Sequence, residues 1–309
     1  ESHHVDHWEG RIWADDPDHP LPMPGHETDA LTDIALDVLD DLEPPFCLFI
    51  AYQAPHPPCA PPPMFQDLYR DQPIHHRPNV DQDVWYDRPE WDADYDLRTF
   101  VERYYAEISQ LDSALGRLLS TVTESDRDDN TIVVFTSDHG EMMGSHGRFS
   151  KGVMYEESAL IPLIARHPDG PQGLRADALV SSVDFMPTLL DLCGLPSAPT
   201  AEGISYAPLI RGASQPEEHE SVFMEYGGQL CIRRQTTKLV AQRDTLDPIA
   251  LYDLETDPYE QANRLDDVTY QDQQTDLHQA LKSWYRDMQR RKGSQSHTAA
   301  EPSPAFEGE

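Results

Sequence analysis

The stretch TIVVFTSDHGEMMGSHGRFSKGVMYEESALIPLIAR, residues 131–166, constrains the fold more than any other part of the chain. It opens with Thr131-Ile132-Val133-Val134-Phe135-Thr136, an unbroken β-branched and aromatic run of the length a buried parallel strand needs. The run stops in polar residues. Asp138 and His139 fall at its end and Gly140 follows, so a carboxylate and an imidazole leave the carboxyl edge of a sheet together, where open α/β sheets place their ligands. That pairing is metal-ligand chemistry. Lys151 lies further along the same loop, between Ser150 and Gly152, and Gly140, Gly144, Gly147 and Gly152 let main chain approach a ligand closely. A second apolar run, residues 160–165, reads as the next strand.

The preceding sequence supplies the other layers of such a fold. Leu31, Ile34, Ala35, Val38, Leu39 and Leu42 recur at helical spacing, with Thr28 or Thr32 as the expected N-cap and Pro44-Pro45 as the stop. Residues 46–52 (FCLFIAY) read as a buried strand. At its carboxyl end stand Gln53-Ala54-Pro55-His56-Pro57-Pro58, where prolines on both sides stiffen the loop and pre-aim His56. The same topology places His56 on the sheet edge that carries Asp138. Residues 97–122 carry one apolar stripe from Val101 to Val122 and read as a long amphipathic helix. Residues 178–182 read as a short strand, and Asp184 caps a helix that runs to Leu192 and stops at Gly194. This alternation is that of a doubly wound, mostly parallel sheet.

Beyond Gly212 the pattern changes to short strands at hairpin spacing, residues 221–226, 229–234, 238–242 and 251–254, followed by a helix over 270–290. The expected organisation is therefore a catalytic α/β domain over 1–212, a small antiparallel sheet plus helix over 213–292, and a disordered polar tail over 293–309. Residues 1–26 read as loop, with His3, His4, Asp6 and His7 as a solvated arm. Asp15-Asp16 there precede Pro17 rather than ending an apolar strand. Residues 61–99 form a long excursion containing Trp85, Tyr86 and Trp91.

Charge narrows the partners. The formal net charge is −33, from 56 acidic and 23 basic residues, and Lys151, Lys238, Lys282 and Lys292 are the only lysines. With that sign nucleic acid is not expected as a partner, and the excess points to the cytoplasm of a salt-adapted organism, where self-repulsion is screened. Cys47, Cys59, Cys193 and Cys231 show neither a CxxC pattern nor a disulfide framework. No apolar run approaches the roughly 20 residues of a membrane span, so no membrane partner is expected.

SDHGEMMGSHG, the lysine before Gly152, MYEES and the following P-L-I run resemble the late active-site segment of the sulfatase family, within the alkaline-phosphatase-like superfamily. The A-P-H-x-P loop at His56, VDFMPTLLDLCGL and LYDLETDPYEQANRL extend the resemblance over roughly residues 27–290. It implies an alkaline-phosphatase-like fold and hydrolysis of sulfuric esters, of a small molecule or a sulfated glycan. Asp138 and His139 would hold a divalent metal, with His56 and Lys151 acting on sulfate oxygens or the leaving group. Hard carboxylates suit Ca²⁺ first, and Mn²⁺ or Mg²⁺ as alternatives. The family nucleophile is a formylglycine made from a C/S-x-P-x-R motif. The single C-x-P here is Cys59-Ala60-Pro61, which lacks the arginine and follows His56, so the formylglycine is expected in a segment ahead of residue 1 and the chain alone is expected to be inactive. Aspartate followed by histidine, where many members have asparagine, is also the form in phosphonate monoester hydrolases. A phosphonate or phosphodiester hydrolase is therefore the first rival, and a non-catalytic binding protein the second.

Overall fold

A computed structural model describes residues 7–8, 10–12, 21–81, 96–213 and 219–295. The chain divides into two compact units, the first made of residues 1–137, 141–150 and 162–170, the second of 138–140, 151–161 and 171–309.

In the first unit, β1 (Arg11–Ile12) and β2 (Leu21–Pro22) form a short antiparallel pair ahead of α1 (Glu27–Asp41). The N-cap of α1 is His26, whose Nδ1 accepts the Thr28 N–H at 3.2 Å, and not a threonine as the sequence suggested. Thr28 and Thr32 are buried instead, and Thr32 donates its hydroxyl back to the Thr28 carbonyl. After the single-turn α2 (Pro63–Gln66), α3 (Leu97–Thr123) begins where Asp96 accepts the Thr99 N–H at 2.8 Å. Its buried stripe contains Phe100, Val101, Leu111, Ala114, Leu118 and Val122. Phe100 has no solvent exposure and meets Phe149 edge to face, ring centroids 4.8 Å apart, within a cluster that includes Cys59, Leu97 and Val101. Truncating such a ring to alanine costs about 3–5 kcal/mol.

The strands depart from expectation. β3 (Val133–Thr136) pairs antiparallel with β4 (Leu163–Arg166), Val133 opposite Arg166 and Thr136 opposite Leu163. Residues 46–52 and 178–182 join no ladder, and Phe49 is 71% exposed. Apolar composition reports a preference for burial, whereas a strand also needs a hydrogen-bonding neighbour. Every ladder among the described residues is antiparallel, so the expected parallel pairing is not among them.

In the second unit α4 (Glu156–Ala159), α5 (Phe185–Leu192) and α6 (Ala207–Ile210) precede a four-stranded meander. α5 is followed by Gly194 at φ +67°, the C′ glycine read from the sequence. The meander is β5 (Val222–Tyr226), β6 (Gln229–Arg233), β7 (Thr237–Gln242) and β8 (Pro248–Asp253), paired in that order. Gly227 and Gly228, both at positive φ, close the β5–β6 hairpin in two residues. Alternation along the strands sorts the two faces. Leu230, Ile232, Leu239 and Leu251 pack against Leu277 and Leu281 of α7 (Gln271–Gln295), while Cys231 and Val240 pack against Met154 from the segment that follows Lys151. The small C-terminal antiparallel sheet with its helix is thus present. The helix extends to Gln295, past the point where a disordered tail was expected, and residues 296–309 lie outside the described residues.

Candidate functional site

Two residues after β3, the chain turns through Asp138, His139 and Gly140. The His139 main-chain N–H donates to Asp138 Oδ1 at 2.8 Å, and its Nδ1 lies 2.9 Å from the Gly140 carbonyl. A carbonyl only accepts, so Nδ1 carries a proton, and in the neutral ring Nε2 carries the lone pair. That Nε2 is 3.5 Å from Asp138 Oδ2, and the Asp138 side chain is 84% exposed. An anionic oxygen and an imidazole lone pair side by side fit one divalent cation, whose bonds to such donors are about 2.0–2.4 Å. Among the described residues no group of three or more His, Cys, Asp or Glu could complete that shell.

The turn has one permitted residue at its end. A β-carbon on residue 140 would lie 2.0 Å from the Glu157 carbonyl oxygen, and the Gly140 N–H donates to the Ser158 carbonyl at 2.9 Å. Ser158 is buried, and its hydroxyl accepts the N–H of Gly152, the neighbour of Lys151, at 3.2 Å. One residue of α4 therefore fixes both the Asp138-His139 turn and the Lys151 turn.

Beneath the Lys151 segment lies a buried cation that sequence reasoning missed. Lys238 is fully buried in β7, with Nζ 2.7 Å from each of the Met154 carbonyl, Glu156 Oε1 and Glu260 Oε1. Burial alone would lower its pKa, but Glu156 and Glu260 reverse that and hold it raised. Burial pushes the Glu156 carboxyl up, but Lys238 together with Arg233 outweighs it, leaving the carboxyl below its ordinary value. Glu260 is raised, because its burial exceeds what Lys238 returns. The signal was a lone lysine inside the apolar run Thr237-Lys238-Leu239-Val240-Ala241.

His56 belongs to the first unit. Its main-chain N–H donates to the Gln53 carbonyl at 2.9 Å, and its Nδ1 is 2.6 Å from the Pro57 carbonyl, so the ring is tied back to its own loop. His7, expected on a solvated arm, is 1% exposed, with its Nε2 2.8 Å from the His56 carbonyl oxygen. The reason is that Glu27 and Glu107, on helices distant in sequence, surround the ring with carboxylates. Cys59 is 1% exposed in the Phe100 cluster, the place of a core residue rather than a nucleophile. His3, His4, Asp6, Asp15, Asp16, Trp85, Tyr86 and Trp91 lie outside the described residues.

Comparison with known proteins extends this picture. The profile described as Sulfatase matches residues 2–195, and that of the N-sulphoglucosamine sulphohydrolase C-terminal region matches residues 144–287. The chain belongs to the sulfatase family. Choline-sulfatase of Rhizobium meliloti (strain 1021) is 34% identical, the match covering 72% of this chain and 47% of that protein. A solved structure in complex with its substrate D-glucosamine-2-N,6-O-disulfate has a TM-score of 0.78 at 24% identity, covering 91% of this chain and 74% of that one. The phosphonate monoester hydrolase of Agrobacterium radiobacter has a TM-score of 0.73 at 23% identity, covering 85% and 60%. At these identities the structures establish the shared alkaline-phosphatase-like fold. The chain spans about half the length of the curated relatives it matches.

Proposed function

We propose that this protein is a metal-dependent sulfuric ester hydrolase. The observation that carries the reading is the Asp138-His139 pair, with the His139 Nε2 lone pair beside a carboxylate, on a turn held by the same serine as the Lys151 turn. Asp138 and His139 would hold the cation, Ca²⁺ first and Mn²⁺ or Mg²⁺ otherwise. Bound there, it supplies positive charge against the sulfate oxygens. The Lys151 ammonium neutralises a sulfate oxygen or the departing ester oxygen. His56 exchanges a proton at Nε2, since Nδ1 is committed to the Pro57 carbonyl. No C/S-x-P-x-R motif occurs in the 309 residues, so none of them takes the formylglycine role.

The names of the relatives, a choline sulfate ester and a sulfated glucosamine, support a small sulfate ester or a sulfated glycan as substrate. Domains of residues 1–212 and 213–292, the second a sheet-and-helix support, belong to the same reading. The test is turnover of an aryl sulfate by the protein at its full natural length, before and after chelation and with Ca²⁺ or Mn²⁺ restored. Activity that returns with metal in wild type and not in Asp138→Ala is expected; metal-independent turnover, or full activity in Asp138→Ala, would remove the assignment. The 309-residue chain by itself is expected to be inactive, for want of a covalent nucleophile.

The histidine after Asp138 and the likeness to a phosphonate monoester hydrolase favour one second reading, a phosphonate or phosphodiester hydrolase. Side-by-side kcat/KM values on matched aryl sulfate and aryl phosphonate esters decide between them.

A further inference from the structure

The loop that presents His56 rests on a charged ring. His7 Nε2 lies 2.8 Å from the His56 carbonyl oxygen and Nδ1 lies 3.0 Å from Glu27 Oε2. A main-chain carbonyl and a carboxylate both only accept, so each ring nitrogen must carry a proton and the ring is an imidazolium. A histidine buried for packing alone would need one such bond and no anion.

Every element around it fits that charge. α1 supplies Glu27, and α3 supplies Glu107, whose Oε1 is 3.8 Å from Nε2. His26 stacks on the ring, centroids 5.4 Å apart and planes 13° from parallel, with Trp8 edge-on to His26. Glu107 also grips the same stretch of chain, its Oε1 accepting the Ala60 N–H at 2.7 Å. Burial alone would lower the His7 pKa, but the hydrogen bond to Glu27, the charge of Glu107 and the His56 carbonyl raise it to about 9.

We propose that His7 is a positioning residue for His56, its buried imidazolium fixing the His56 main chain and, through the Nδ1 bond to Pro57, the direction of the His56 ring. The proposal rests on the reading of His56 as a group that acts on substrate. The contacts run in series: helix carboxylates hold His7, His7 holds the His56 carbonyl, and the loop's own carbonyl holds the His56 imidazole.

The test uses the protein at its full natural length and two readouts. The first is hydrogen exchange, independent of activity. In His7→Gln the His56 amide should exchange about tenfold faster or more, the scale of one lost charge-assisted hydrogen bond, while Phe100 and Ala106 of α3 keep their protection. The second is the kcat–pH profile on an aryl sulfate. His7→Gln should lower kcat with KM little changed, and wild-type activity should fall as pH rises through about 9. Glu27→Gln keeps an acceptor and removes a charge, so it should move that alkaline limb to lower pH, which loss of packing would not do. Unchanged His56 exchange in His7→Gln, or a limb unmoved in Glu27→Gln, overturns the proposal. If wild type hydrolyses no sulfate ester, the sulfatase reading falls, and the exchange readout still decides whether His7 holds the loop.

Discussion

The carbonyl oxygen of Glu157 occupies the space into which a side chain on Gly140 would project, 2.0 Å from the position of its β-carbon. The neighbour is main chain, which a rotamer change cannot move aside. Gly140→Ala must therefore displace either α4 or the Asp138-His139 turn. We expect a loss of roughly 1–3 kcal/mol, the usual cost of overpacking, together with a disproportionate loss of divalent metal affinity. Urea unfolding and a Mn²⁺ titration of the same sample measure both. An alanine variant with wild-type metal affinity would mean that the turn's position does not matter to the site.

Lys238 offers a sharper stability test. Its ammonium is held by two carboxylates and a carbonyl with no exposure to water, so Lys238→Met leaves Glu156 and Glu260 buried around an uncharged chain. Breaking a buried pair in this way costs about 3–5 kcal/mol, whereas replacing all its members with apolar groups of similar size is often neutral. Lys238→Met should thus be much less stable than wild type in urea, and Lys238→Met with Glu260→Leu should recover part of the loss. Equal stability of single and double variants would show that Glu260 carries no unpaired charge in the single variant.

How much of this was readable beforehand follows from what each residue depends on. Helices α3 and α5, the hairpins of the C-terminal sheet and the Asp138-His139-Gly140 turn are governed by local periodicity, turn glycines and a short motif, and sequence displays all three. Strand pairing is not local. Val133-Val134-Phe135-Thr136 advertises burial whether its neighbour runs parallel or antiparallel, so the direction of the β3–β4 ladder could not be read. His7 and Lys238 were missed for a related reason. Each is a polar residue whose burial depends on carboxylates contributed by other elements: Glu27 and Glu107 for one, Glu156 and Glu260 for the other.

Stability should depend on pH through His7. Its pKa rises from 6.5 to about 9 on folding, so its contribution is fully present below 6.5 and is lost as pH rises through about 9. Linkage for a shift of that size gives roughly 3 kcal/mol across the window. Unfolding free energies from urea titrations at pH 6, 7.5 and 9 should decline in wild type; burial raises the Glu107 carboxyl to about 7 and gives its own decline through that pH in both proteins, whereas the fall between pH 7.5 and 9 should be smaller in His7→Gln. Parallel curves for the two proteins would mean that the ring is not charged in the fold.

The charge excess makes a prediction about salt, and two effects of opposite sign must be weighed. Salt weakens exposed ion pairs such as Arg175 with Asp177 and Arg290 with Asp287, but such pairs contribute only about 0–1 kcal/mol each. It also screens repulsion among carboxylates. With 56 acidic and 23 basic residues, pairing every base would still leave a net charge of −33. Repulsion thus outweighs the pairs, and near 1 M salt the Debye length falls to about 3 Å, shorter than most spacings between surface charges. The buried Lys238 cluster, shielded from ions, should be indifferent. We therefore expect the melting temperature to rise steadily as KCl goes from dilute buffer to molar concentration, in wild type and in Lys238→Met alike. Thermal melts at constant pH read the slope directly. A midpoint that stays level or falls would show that the surface carboxylates are not in net repulsion, and that the acidic composition serves some purpose other than folding in salt.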